Sequence, residues 1–381
     1  MIYILVFIIS SIFSCTKLRL FLTQKKSLYI DFSLLLTILP ITILAGLRNH
    51  TVGTDVDTYV IGIYERVNTY INISQVLNNH NVEIGYEIFA FLIAHVFHDV
   101  HWLHFLTTFV TGFAVYSFLK LYENEISIPL AWFSFLCLHF NETLNIVRQW
   151  LALGICLLCI GAILKKKKIL SFFLALLAIS FHSSAIIIFV IYAIYKFLTR
   201  EYKISINRYH KYCTFLIIMT SIGAAFFRPI CMMLLSFGIL PLKYIHYFDL
   251  PEGISSPTML VLSIIPFIIL CLFVYKYQKW NNEQPDFIII FTIISCILTF
   301  LSTKFGYAAR IGLFFSVWRL ILIGKTSFII QKRWPKQIAF FMKIPFIALL
   351  IAYWWYSFYY RGFGDTVPYI SDIFQSVNWT F

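Results

Sequence analysis

Long apolar stretches recur along this chain from residue 2 to residue 359, far more than a soluble fold of this length has room to bury. A helix needs about 20 apolar residues to cross the hydrocarbon of a bilayer, and fewer where neighbours shelter its ends. Runs of that kind fall at 2–15, 28–47, 102–121, 128–144, 149–164, 169–182, 184–198, 212–227, 258–275, 287–303, 307–323 and 337–359. They predict about 12 transmembrane helices, several of them short. The supply of charge agrees: 12% of the 381 residues are charged, against about 25% in an ordinary soluble domain. A soluble enzyme, a nucleic-acid binder and a disordered chain are thereby excluded. The expected fold is all-α, a single polytopic integral membrane domain over 1–381 without repeats.

The first run lacks the basic start and the small-residue cleavage site of a signal peptide, so it reads as a retained span. The thirty Lys and Arg residues then give direction. Clusters such as Lys165 to Lys168, and those near Lys25, Lys203 and Lys332, mark the cytoplasmic side, where basic loops are retained. Both termini then face outward, as do the polar stretches 48–83, 228–257 and 360–381. Glu83 to His98 is apolar enough to span, but a span there would turn the four-lysine run outward. It reads instead as a short re-entrant or interfacial helix.

The outer charges are single arginines at the ends of spans: Arg48, Arg148, Arg228 and Arg310. An arginine at the bilayer edge is costly unless it meets an anion, and its planar fork suits phosphate oxygens. Snorkelling to lipid phosphates is the alternative, preferred for Arg228 beside Pro229. The stretch Arg48 to Tyr59 adds Asp55 and Asp57, too few carboxylates for a metal; Thr54 and Asp55 read equally well as loop caps. Arg148 and Gln149 open an apolar helix. His182 sits midway along 169–198, a run bracketed by cytoplasmic basic residues, so its turn reaches the outer edge. There it is either a structural hydrogen-bonding residue or a base, acid or phosphate contact. The group His95, His98, Asp99, His101 and His104 would straddle a turn and reads as part of an interfacial belt, as do the aromatics from Tyr353 to Tyr360. Cys156 and Cys159 form a C-x-x-C inside an apolar run and read as packing. No metal and no cofactor is expected.

In order, Arg48, Gly53, Thr54, Asp55 and Tyr59, then Glu83, Gly85 and Tyr86, then Arg148 and Gln149, then His182, then Tyr307 and Arg310, then Pro368 and Tyr369 resemble the EpsG family of bacterial membrane proteins. The resemblance covers nearly the whole chain. It implies a GT-C-like fold in the bacterial inner membrane and a Wzy-type polymerase of O-antigen (lipopolysaccharide), capsule or exopolysaccharide. Such an enzyme joins undecaprenyl-pyrophosphate-linked oligosaccharide repeat units on the periplasmic face. On that reading Arg148 and Arg310 hold the pyrophosphate with Arg48 assisting. His182 or Glu83 is the base, Asp55 orients the acceptor, and Gln149, Tyr59 and Tyr307 serve the acceptor or its loop. The partners are the lipid-linked oligosaccharide, membrane lipid and a chain-length regulator, with no nucleic acid. An O-antigen-type ligase shares the donor chemistry. A flippase or transporter of the same lipid would place charge along a central path, where Arg319 is the clearest mid-span case. A membrane O-acyltransferase is more remote.

Overall fold

The computed structural model describes residues 2–16, 19–21, 29–199, 206–237, 257–281, 287–303 and 306–371. It is helical, apart from an antiparallel pair of three-residue strands, Arg19–Phe21 with Tyr29–Asp31. The chain forms two compact units, Met1–Ile188 with Phe340–Phe381, and Phe189–Ala339.

In the first unit the helices are α1 (Ile2–Ser14), α2 (Phe32–Gly46), α3 (Gly62–Asn68), α4 (Ile73–Asn79), α5 (Ile84–Phe97), α6 (His101–Lys120), α7 (Ile128–Leu138), α8 (Phe140–Asn145), α9 (Val147–Leu164) and α10 (Lys168–Phe181). Helix α9 packs against α6 and α10, and α2 against α1 and α6. Small residues permit the close approach: a Cβ on Gly154 of α9 would stand 3.4 Å from the Thr111 backbone of α6. Trp132 and Trp150 are fully buried between the helices. The Cys156 and Cys159 thiols point at the carbonyls of Ala185 and Ser171, as packing residues do.

Three sequence expectations change here. The stretch 48–83, expected as an outer loop, is largely helical: a π turn at Asp57–Ile61 precedes α3 and α4. The run 128–144 is not one helix, because the backbone leaves helical geometry at His139 (φ −131°) and again at Ile146 (ψ 58°). Those two breaks isolate α8 and let Arg148 open a new helix. The tail beyond Tyr360 folds back onto the unit. Gly53 and Thr54 donate to the carbonyls of Asp365 and Gly364, Asn49 donates to Ile370, and Tyr369 bonds the Leu44 carbonyl. The segment Glu83 to His98 is a 14-residue helix, shorter than a full crossing.

In the second unit the helix Ile206–Ser236 continues through Arg228 and Pro229, past the end of the apolar run 212–227. Residues 238–256 lie outside the described residues, as do 372–381 of the expected outer tail. The predicted span 307–323 is two helices, Gly306–Ser316 and Trp318–Arg333, bent by 40°. The second helix runs on past the end of that run to Arg333, whose guanidinium lies 4.7 Å over the Trp280 ring.

Among the described residues four helices are long and apolar enough to cross a bilayer, and the bent pair makes a fifth. Seven more apolar helices are shorter. Protein covers only 33% of the apolar window in Pro257–Trp280 and 17% of that in Lys336–Tyr360. Phe172, Phe173, Phe340 and Phe341 all face outward. Apolar surface on that scale requires a lipid solvent. This is a membrane protein.

Candidate functional site

Four of the sequence motifs, far apart in the chain, meet at the start of α9. Arg148 is placed there by the Ile146 break, one residue inside the new helix. Its guanidinium contacts the Glu83 carboxylate, which stands at the N-cap of α5. It also lies 4.5 Å over the ring of Tyr59, from the π turn. The other oxygen of Glu83 accepts from the backbone N–H of Ser183 at 3.0 Å, just after α10. A guanidinium carries five donors. The hydrogen bond of Arg148 to Glu83 uses Nη1, and the side chain keeps 16% of its surface exposed.

The backbones that carry these side chains are forced close together. A Cβ on Gly85 would stand 2.7 Å from the Ser180 carbonyl oxygen, so α5 meets α10 at a contact only glycine permits. Gly53 has φ +115°, where a side chain would be strained, and it starts the turn that leads to Asp55. Asn145, the last residue of α8, accepts from the Thr54 hydroxyl at 3.0 Å and from the Asp55 N–H at 2.9 Å. Asp55 and Tyr59 are therefore fixed to the chain segment that presents Arg148.

Electrostatics divide the roles. Burial would raise the Glu83 carboxyl, but the charge of His182, the Ser183 N–H and Arg148 outweigh it and hold its pKa below the usual range. Glu83 is therefore ionised at neutral pH. His182 accepts at Nδ1 from the Ser184 N–H at 3.2 Å, with the Ser184 hydroxyl 2.7 Å away. In the neutral ring the proton then sits on Nε2, which makes His182 a hydrogen-bond donor beyond its own turn.

Arg48 differs from Arg148. It is 1% exposed, its Nη1 donates to the Leu144 carbonyl and its Nη2 to Nδ1 of His104 at 2.9 Å. Burial draws its pKa down to about 10, opposed by Tyr3, Tyr86 and Tyr369, so it stays charged at neutral pH. Its donors are turned to protein, which ties the end of α2 to the end of α8. Gln149 is buried beside Arg148. Tyr307 and Arg310 belong to the second unit, on the helix Gly306–Ser316; Tyr307 is buried and Arg310 half-buried.

The histidine group of 95–104 disperses onto backbone. His95 bonds the carbonyls of Phe91 and Tyr70, and His101 that of Gly46, while Asp99 caps the His101 N–H. Among the described residues no three His, Cys, Asp or Glu side chains group as metal ligands would.

The sequence reading missed Glu87. It is completely buried in α5 and is held by Arg66 and by the N–H groups of Asn81 and Val82. This anchor fastens the α3–α4 stretch to α5 and fixes the approach to Glu83. An acid one turn after Glu83 in an apolar helix was the available signal.

The model of the EpsG family matches residues 31–371. No curated protein and no solved structure matches the chain.

Proposed function

The chain belongs to the EpsG family, and from that premise we propose that it is a Wzy-type polymerase of lipid-pyrophosphate-linked repeat units. It spans the bacterial inner membrane about twelve times in a GT-C-like fold, as one polytopic domain, with its site toward the periplasm. The observation that carries the reading is Arg148: a guanidinium fixed by Glu83 and Tyr59, with donors left over for an anion. The departing group is a lipid pyrophosphate, whose developing charge needs preorganised cations. Arg148 supplies one.

In the transfer, a hydroxyl oxygen of the acceptor repeat unit bonds to the anomeric carbon of the donor glycan. The bond from that carbon to the pyrophosphate oxygen breaks, and the hydroxyl proton passes to a carboxylate. Glu83 is ionised and in contact with Arg148, so it serves as that base. Asp55 orients the acceptor, while Tyr59 and Gln149 hold Arg148 in place. Arg48 keeps the loop in register rather than meeting substrate.

The test is reconstitution in nanodiscs with a synthetic undecaprenyl-pyrophosphate repeat unit, with and without chelator. The wild type gives a ladder of longer lipid-linked products. Arg148→Ala lowers the rate by about 100-fold or more, the usual cost of one preorganised donor. A full ladder from folded Arg148→Ala overturns the site. Transfer only to another acceptor class assigns a ligase, and transbilayer movement without new bonds assigns a flippase.

A further inference from the structure

An open cavity of about 610 Å³ lies in the first unit, bounded by the π turn and α3 on one side and by the start of α6 on the other. Its polar lining is Arg48, His50, Asp57, Thr58, Glu65, His101 and His104, the Arg48 guanidinium being bonded to His104. The hydrogen bonds that each imidazole already makes fix what it offers. Arg48 can only donate, so His104 accepts at Nδ1 and carries its proton on Nε2. The Gly46 carbonyl can only accept, so His101 donates from Nδ1 at 2.7 Å and keeps an accepting Nε2. Asp57 Oδ1 takes the Nδ1 proton of His50 at 2.9 Å, which leaves His50 Nε2 an acceptor as well. The wall thus alternates one imidazole donor and two imidazole acceptors with the Thr58 hydroxyl and the carboxylates of Asp57 and Glu65.

That lining decides the ligand class. Two carboxylates repel an anion, and the Arg48 cation is consumed by carbonyls and His104, so a pyrophosphate does not belong here. The ligating geometry of a metal is missing among the described residues. A sugar ring is different: each hydroxyl donates one hydrogen bond and accepts others, and a mixed wall satisfies both. The volume lies in the range of small-ligand sites. The cavity is also adjacent to the Arg148 cluster through the same turn. Asp57 and Thr58 face the cavity, and Tyr59, the next residue, stacks on Arg148.

We propose that this cavity is a subsite for a sugar of the acceptor repeat unit, recognised through hydroxyl hydrogen bonds to His50, Asp57, His101 and His104. The inference rests on the polymerase reading and adds the place where the acceptor is held. His50 and Asp57 are recognition residues here, not the base.

The experiment uses the full-length protein in nanodiscs. The donor is the lipid-linked repeat unit; the soluble acceptor is the oligosaccharide released by mild acid from the host's own repeat unit. His50→Ala and Asp57→Asn are the variants, since both side chains are open to solvent, 49% and 71% exposed, and neither supports the core. Each is expected to raise the KM for the acceptor about tenfold, from lost hydrogen bonds, with kcat within about threefold of wild type. Saturation-transfer NMR with the same oligosaccharide should show signal for wild type and a loss of it in the double variant. An unchanged acceptor KM and an unchanged NMR signal, in variants that elongate normally, overturn the subsite while leaving the polymerase intact. A wild type that elongates nothing overturns the polymerase reading itself, whatever the variants do. A fall in kcat with constant KM overturns the subsite too, because it moves the pair into the chemistry.

Discussion

The buried pair of Arg66 and Glu87 gives a prediction that tests how the site is held. Glu87 is fully buried, Arg66 is 25% exposed, and the same carboxylate oxygen accepts from the Asn81 and Val82 N–H groups. Removing one partner of a fully buried pair costs about 3–5 kcal/mol. Two features reduce that here. Arg66 is partly solvated, and two backbone donors remain to Glu87 after it is gone. We therefore expect Arg66→Met to cost about 2 kcal/mol, confined to the stretch between α3 and Glu83. At about 1.4 kcal/mol per factor of ten, the open population of that stretch rises about 30-fold. Hydrogen exchange on the full-length protein in nanodiscs reads this directly. The amides of Asn81 and Val82 should exchange about 30-fold faster in Arg66→Met, while α9 keeps its protection. Unchanged protection at 81 and 82 would refute the idea that Arg66 and Glu87 together anchor the loop. Faster exchange spread over α6 and α9 would refute the claim that the effect is local.

Other predictions follow from the same geometry. Tyr59→Phe keeps the ring under Arg148 and should keep elongation within about twofold, whereas Tyr59→Leu should lose about three- to thirtyfold, the worth of a partly desolvated cation–π contact. Gly85→Ala forces α5 off the Ser180 carbonyl; overpacking of about 1–3 kcal/mol should lower thermal stability in detergent, and the displaced Glu83 should lower the elongation rate further. Glu83 has a lowered pKa in the fold, so its contribution is complete above the ordinary carboxylate value of about 4.3 and is lost only as pH falls through the lowered value. Between pH 5 and 8 its state does not change. Thermal melts below pH 4 should therefore fall more steeply for wild type than for Glu83→Gln.

Much of the site was legible because the chemistry sat where apolar pattern was interrupted. Arg48, Asp55, Glu83, Arg148 and His182 all stand at ends or breaks of apolar runs, and four of those places converge on Arg148. What escaped was what periodicity cannot carry. A helix that is apolar all round gives no face, so the breaks at His139 and Val317 left no trace in hydropathy. Likewise the helix from Trp318 runs to Arg333, ten residues past the end of the apolar run 307–323, where lysines appear. Asp55 and Asp57 stand two residues apart, too few carboxylates for a metal. The chain turns the two apart: the Asp55 backbone goes to Asn145, and the Asp57 carboxylate goes to His50. Glu87 was overlooked because its partners lie up to 21 residues back, across two short helices with no shared register.

The edge arginines look alike in sequence, and the donor inventory is what separates them. Arg48 spends Nη1 and Nη2 on Leu144 and His104 at 1% exposure. It is bound into the frame, and an anion arriving there would have to displace a protein acceptor. Arg148 is clamped from one side by Glu83 and from below by Tyr59, and its side chain stays 16% exposed. A clamp that fixes direction without exhausting the donors is what a preorganised anion site needs, because reorganisation is then complete before substrate arrives. The same reasoning makes Arg148→Lys a sharper probe than alanine. Lysine keeps the charge near Glu83 but loses the planar fork, so a site that needs only charge tolerates it, and a site that needs two aligned donors on a pyrophosphate does not.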